Sequence, residues 1–126
     1  MSTSSTIISV VDDDQSMSRM LSRVLTSAGF TVKSFTSAEE FLDSRGFTDS
    51  ACLILDMNLP GMSGDELQWI LNGRGFDLPI IFISADADEA IQKRVLDSGA
   101  VAFLDKPFNI DILLDKIRSI QIPTLS

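Results

Sequence analysis

The stretch Leu53-Ile54-Leu55-Asp56-Met57-Asn58-Leu59-Pro60-Gly61-Met62-Ser63-Gly64-Asp65-Glu66 runs apolar, stops on a single acid and then turns through Pro60, Gly61 and Gly64. An unbroken apolar run closed by turn residues is the pattern of a strand buried on both faces, as in a parallel sheet covered by helices. The carboxylate that ends it is locally consistent with a turn cap, a cation ligand or a reactive group. The rest of the chain has to choose.

Ala51-Cys52 extends this run backwards, and four others share its character: Ile7-Ile8-Ser9-Val10-Val11, Thr31-Val32-Lys33-Ser34, Pro79-Ile80-Ile81-Phe82-Ile83 and Val101-Ala102-Phe103-Leu104. Each reads as a short strand. Met17, Met20, Leu21, Val24, Leu25 and Ala28 recur with helical spacing, as do Ile110, Leu113, Leu114 and Ile117. Ser37-Ala38-Glu39-Glu40 has the form of a capping box and predicts a second helix. Gly64 to Asn72 and Asp88 to Ser98 supply two more, with Gly73 and Gly99 placed as C-terminal stops.

Strands that alternate with helices predict an α/β domain of (βα)5 form with helices on both faces of a parallel sheet. The second strand, interrupted by Lys33, is its natural edge. At 126 residues the chain reads as one domain, 1–126, with a folded core from about 6 to 120 between polar ends.

Composition narrows the function. Ten Lys and Arg against eighteen Asp and Glu give a net charge of −8, which disfavours direct nucleic-acid binding. No apolar run approaches the ~20 residues of a membrane span, and the start lacks the pattern of a signal peptide, so a cytoplasmic location is expected. Cys52 is the sole cysteine and sits in an apolar run, which predicts a buried free thiol. The chain has no histidine, which removes histidine-dependent triads and histidine-ligated zinc. Carboxylates must carry the chemistry.

Those carboxylates fall at strand ends. The first strand runs into Asp12-Asp13-Asp14, the third into Asp56, the fourth into Ser84 and the fifth into Asp105-Lys106-Pro107. In a doubly wound sheet of order 2-1-3-4-5 these four strands are contiguous, and their carboxyl ends share one crevice. Asp12, Asp13 and Asp56 together concentrate like charge, which a hard divalent cation would relieve. Magnesium prefers few carboxylates, several waters and phosphate oxygens.

Val10-Val11-Asp12-Asp13-Asp14, Leu55-Asp56-Met57-Asn58-Leu59-Pro60-Gly61, Ile83-Ser84-Ala85 and Asp105-Lys106-Pro107-Phe108, in that order, resemble the receiver domains of two-component response regulators, the CheY-like family. The likeness covers nearly the whole chain. It implies a flavodoxin-like fold and a signalling domain that catalyses only its own phosphorylation and dephosphorylation.

Carried over residue by residue, the resemblance makes Asp56 the phosphoacceptor. It assigns the metal set to Asp12, Asp13, Asp56 and the backbone carbonyl of Asn58, with Mg²⁺ as cofactor and Mn²⁺ as its substitute. Ser84 and Lys106 would contact the phosphoryl group, Ser84 and Phe103 would form the switch, and the Lys106–Pro107 bond would be cis. Asn58 and Asp86 would tune dephosphorylation. Implied partners are a histidine kinase or phosphotransfer protein, an output domain or effector reached through the fourth helix, fifth strand and fifth helix, and a second copy on phosphorylation. No membrane is involved. Phenylalanine at position 103 lacks the hydroxyl of the tyrosine common there, so this switch would act by packing.

Three rivals use the same residues. A Mg²⁺-dependent aspartyl-phosphate phosphatase would share the nucleophile but needs an acid two residues later, where Asn58 stands. A calcium loop fits Asp56, Asn58 and Gly61 but has Leu67 where the bidentate glutamate belongs, and a strand precedes it. An FMN-binding protein would need small residues offering amides after the first strand, where acids stand.

Overall fold

The computed structural model describes residues 6–120. The expected N-terminal tail, apart from Thr6, and the end from Gln121 lie outside these residues. Five strands and five helices alternate: β1 (Ile7–Val11), α1 (Gln15–Ser27), β2 (Thr31–Phe35), α2 (Ala38–Ser44), β3 (Cys52–Asp56), α3 (Gly64–Gly73), β4 (Ile80–Ser84), α4 (Glu89–Asp97), β5 (Ala102–Asp105) and α5 (Ile110–Ile120). A single 3₁₀ turn, Gly46–Thr48, follows α2. The sheet is parallel throughout, in the order β2-β1-β3-β4-β5.

Period-two alternation splits each central strand between two cores. Leu53 and Leu55 of β3 and Phe82 of β4 pack with Ala38, Phe41, Leu67, Leu71 and Val95 from α2, α3 and α4. Cys52 and Ile54, with Ile81 and Ile83, pack instead with Leu21, Leu25, Leu113 and Ile117 from α1 and α5. All five residues of β3 and of β4 are buried, because helices cover both faces. Edge strand β2 is mostly exposed, and its Lys33 pairs with Asp49 at 3.2 Å. Cys52 is a free, buried thiol, and burial pushes its pKa up to about 12.

Element ends depart from expectation in a consistent way. Strands β2 to β5 each run one residue further than the apolar pattern, and β3, β4 and β5 also start one later. A polar side chain does not interrupt a backbone ladder: Asp56 still pairs with Ile83, and Ser84 with Asp105. Gly73 is not the stop of α3 but its last residue. Gly75, with φ +80°, ends the element: its N–H donates to the Asn72 carbonyl and that of Phe76 to Leu71, the paired bonds of a Schellman motif. Gly99 does close α4 as expected.

Capping at α2 is also shifted. Ser37 accepts from the Glu40 N–H at 3.0 Å, but Glu40 reaches past it to the N–H of Thr36 at 2.7 Å. The reciprocal contact lies instead at α3, where Ser63 N–H donates to Glu66 at 3.0 Å.

Candidate functional site

Asp12 immediately follows β1 and Asp56 is the last residue of β3. Both continue the alternation of the side chains that face α1 and α5, so neighbouring strands deliver the two carboxylates to the same side of the sheet edge. Asp12 is fully buried, Asp56 nearly so, and Asp13 is exposed. Carboxylate oxygens of all three lie within 4.8 Å of one another. At an effective dielectric constant of about 20, two unit charges at that separation repel by roughly 3.5 kcal/mol. Such a set of oxygen ligands suits a hard cation.

One cation is already present. Lys106, one residue beyond β5, places Nζ 3.0 Å from Asp12 Oδ2 and 3.5 Å from Asp56 Oδ2. Its peptide bond to Pro107 is cis, and the Lys106 N–H donates to the Ser84 carbonyl at 2.8 Å, tying the lysine's backbone to the end of β4. Desolvation works against the ammonium, but the hydrogen bond from Lys106 to Asp12 and the charge of Asp56 outweigh it, so its pKa is raised. Both oxygens of Asp12 are engaged: Oδ2 takes the lysine, and Oδ1 accepts the Asp14 N–H at 2.9 Å.

Asp56 is less well compensated. Burial is the largest influence on its carboxyl and raises the pKa, the charge of Asp12 adds to that, and the Asn58 N–H and Lys106 offset it in part. The net shift is upward. Asn58 N–H donates to Asp56 Oδ1 at 3.1 Å, which leaves Oδ2 nearer Lys106. Gly64 makes this approach feasible. A Cβ at that position would come within 2.6 Å of the Asp56 carbonyl and 3.0 Å of Met57 Cα, so only glycine lets α3 start so close behind the acid.

The remaining residues singled out in the sequence form a second group beside the first. Ser84, fully buried at the end of β4, accepts from Asn58 Nδ2 at 3.0 Å and from the Asp86 N–H at 3.2 Å. Asp86 itself is exposed, and its backbone makes that contact. Phe103 of β5 is half-buried and stacked on Phe82, ring centroids 6.3 Å apart. Phe82 lies two residues before Ser84 in β4, on the face turned to α4.

Three contacts escaped the sequence reading. Asp14 caps α1, accepting from the Ser16 and Met17 N–H groups, and its own N–H holds Asp12. An Asp three residues before Met17, where the helical spacing begins, was the available signal. Glu39 of α2 accepts the Met62 N–H at 3.0 Å and so braces the loop after Asp56. Nothing local in the sequence announces that pairing. The third is the bond from Asn58 to Ser84. Away from this edge, a groove of about 340 Å³ lies between α3 and α4, lined by Gln68, Trp69 and Arg94 among others.

Comparison with known proteins agrees with this geometry. The chain is 41% identical over 113 residues to the response regulator protein TmoT of Ectopseudomonas mendocina, an alignment covering 90% of this chain and 51% of that protein. With nodulation protein W of Bradyrhizobium diazoefficiens it shares 42% identity over 111 residues, 88% of this chain and 49% of that one. It thus spans about half the length of the curated relatives it matches. Among solved structures it superposes on response regulator StyR with a TM-score of 0.85 at 43% identity, covering 92% of this chain and 59% of that one. On FixJ-N the TM-score is 0.84 at 30% identity, covering 98% of this chain and all of that one. Residues 8–118 match the response regulator receiver domain family, and a match of that extent makes this chain a receiver domain of two-component response regulators, a signalling domain.

Proposed function

We propose that Asp56 is the phosphoacceptor and that this domain takes a phosphoryl group from the phosphohistidine of a sensor kinase or phosphotransfer protein. A carboxylate oxygen of Asp56 attacks phosphorus in line as the bond to the histidine nitrogen breaks, and that nitrogen leaves with the electron pair. The product is an acyl phosphate. Support comes chiefly from one observation: an ionisable carboxylate at a sheet edge, short of compensating charge, with a lysine Nζ 3.5 Å away.

Asp13, Asp56 and the Asn58 carbonyl would hold Mg²⁺, with Asp12 completing the acidic set and Mn²⁺ as the alternative ion. When bound, the ion supplies positive charge for the transferred oxygens. Lys106 supplies a second, fixed by Asp12, and the Ser84 hydroxyl supplies a donor. As Ser84 turns toward a phosphoryl oxygen, space opens above Phe82 and Phe103 on the face of α4. Repacking of Phe103 would carry the event to the surface of α4, β5 and α5. That surface would then act on an output domain or effector, or on a second copy. Asn58 and Asp86 stand where they would influence hydrolysis of the acyl phosphate.

We place this activity in the cytoplasm; no helix among the described residues is long and apolar enough to cross a membrane. The phosphatase reading gains no support, because Asn58 offers a carboxamide where a general acid is required. Intact-mass measurement after incubation with acetyl phosphate and Mg²⁺ tests the proposal. A single phosphoryl adduct that disappears in Asp56→Asn is expected, and an adduct that survives the substitution would overturn it.

A further inference from the structure

The hydroxyl of Ser84 is held by more than its place in the strand. A serine oxygen has two acceptor positions and one hydrogen. Both acceptor positions are filled, by Asn58 Nδ2 at 3.0 Å and by the Asp86 N–H at 3.2 Å. Asp86 belongs to the same segment as Ser84, two residues on, so its amide can travel with the serine. Asn58 belongs to a different strand end and cannot: its own N–H is anchored on Asp56 Oδ1 at 3.1 Å. The side-chain bond from Asn58 therefore spans two elements and ties the serine to the loop after β3.

We propose that Asn58 is a latch on Ser84, a positioning residue whose carboxamide stabilises the resting arrangement of the serine and must let go before the hydroxyl can turn to a phosphoryl oxygen on Asp56. This rests on the phosphoacceptor reading and adds to it a regulatory contact made by the side chain, distinct from the Asn58 backbone carbonyl. Because the bond exists in one state and not the other, it subtracts from the population competent to hold a phosphoryl group. Apparent affinity for a phosphoryl mimic scales with that population, so cutting the latch must strengthen binding.

The probe is beryllofluoride, BeF₃⁻, titrated at saturating Mg²⁺ into wild type, Asn58→Ala, Ser84→Ala and the double variant. Asn58 is exposed and the serine's replacement is smaller than the original, so all four chains are expected to fold. Loss of one neutral hydrogen bond from the resting state predicts that Asn58→Ala binds about fivefold more tightly than wild type. In the Ser84→Ala background the same substitution should change affinity by a factor close to one, since the bond is already gone.

The Asp86 amide, bonded to the same serine oxygen, gives an independent readout. In wild type its NMR resonance should move when beryllofluoride is added, and in Asn58→Ala it should start part-way along that line before any is added. Unchanged or weaker binding by Asn58→Ala would overturn the latch, as would a gain that persists when Ser84 is alanine. Failure of wild type to bind beryllofluoride at all would instead overturn the phosphoacceptor reading, and the latch with it.

Discussion

Asp56 sits in a field that opposes its own charge. Burial and Asp12 both favour the protonated acid, and Lys106 is shared with Asp12, to which it lies closer. In the absence of metal, Asp56→Asn should therefore stabilise the domain. If even a third of the ~3.5 kcal/mol repulsion is relieved, about 1 kcal/mol, a domain of this size gains roughly 3–6 °C in Tm. The sign with pH follows from the raised pKa. Protonated Asp56 costs nothing below the unfolded value near pH 3.9, and destabilisation grows as pH rises through the higher folded value. The advantage of Asp56→Asn, measured in EDTA by thermal melts of both proteins, should accordingly shrink on acidification toward pH 4. An advantage that stays constant across that range would show that the acid is not strained by its neighbours.

Within elements, the starts and stops carry the site. α3 begins directly behind Asp56 because position 64 has no Cβ, and neither of its two nearest obstacles, a backbone carbonyl and a backbone Cα, can swing aside. Gly64→Ala should cost about 1–3 kcal/mol in urea unfolding and slow the uptake of phosphate from acetyl phosphate, since the strand end must shift. Deeper along α3, the buried Gln68 donates from Nε2 to the Val95 carbonyl at 2.9 Å and joins α3 to α4. Gln68→Ala removes that bond and leaves a void, and a loss of about 2 kcal/mol is expected, with faster hydrogen exchange in the last turn of α4. Of these features the sequence showed the five strands, the helical faces and the stop at Gly99, all of which depend on residue type and spacing. It hid the extra residue at the strand ends, the Gly75 stop and the partner of Glu40, because backbone pairing and a side chain's reach are settled by neighbours distant in sequence. Asn58 is the clearest case: its place beside Asp56 was readable, but its bond to a serine 26 positions away was not.

At the scale of the whole molecule, three strand ends and the lysine beyond a fourth converge on one edge, so the site exists only when the full sheet is formed. Ligand binding and global stability are then linked. Mg²⁺ at a hundred times its Kd should stabilise the domain by about 2.7 kcal/mol, and Asp13→Ala should abolish most of that increment in thermal melts. The convergence was legible because the order 2-1-3-4-5 brings the motifs together, whereas the division of labour between Asp12, held by Lys106 and Asp14, and the less committed Asp56 is settled by side-chain reach between separate strand ends. The same sheet seals Cys52 beneath α1 and α5 with its thiol held protonated. A protonated, inaccessible sulfur is inert to alkylation, so at neutral pH a maleimide can react only in molecules that have opened around β3. The rate of labelling then becomes a clock for that opening, run without denaturant and without acid or heat that would cleave an acyl phosphate. Resting and phosphorylated forms can be timed side by side, and slower labelling of the phosphorylated form would measure how far the modification proposed at Asp56 tightens the strand that carries it.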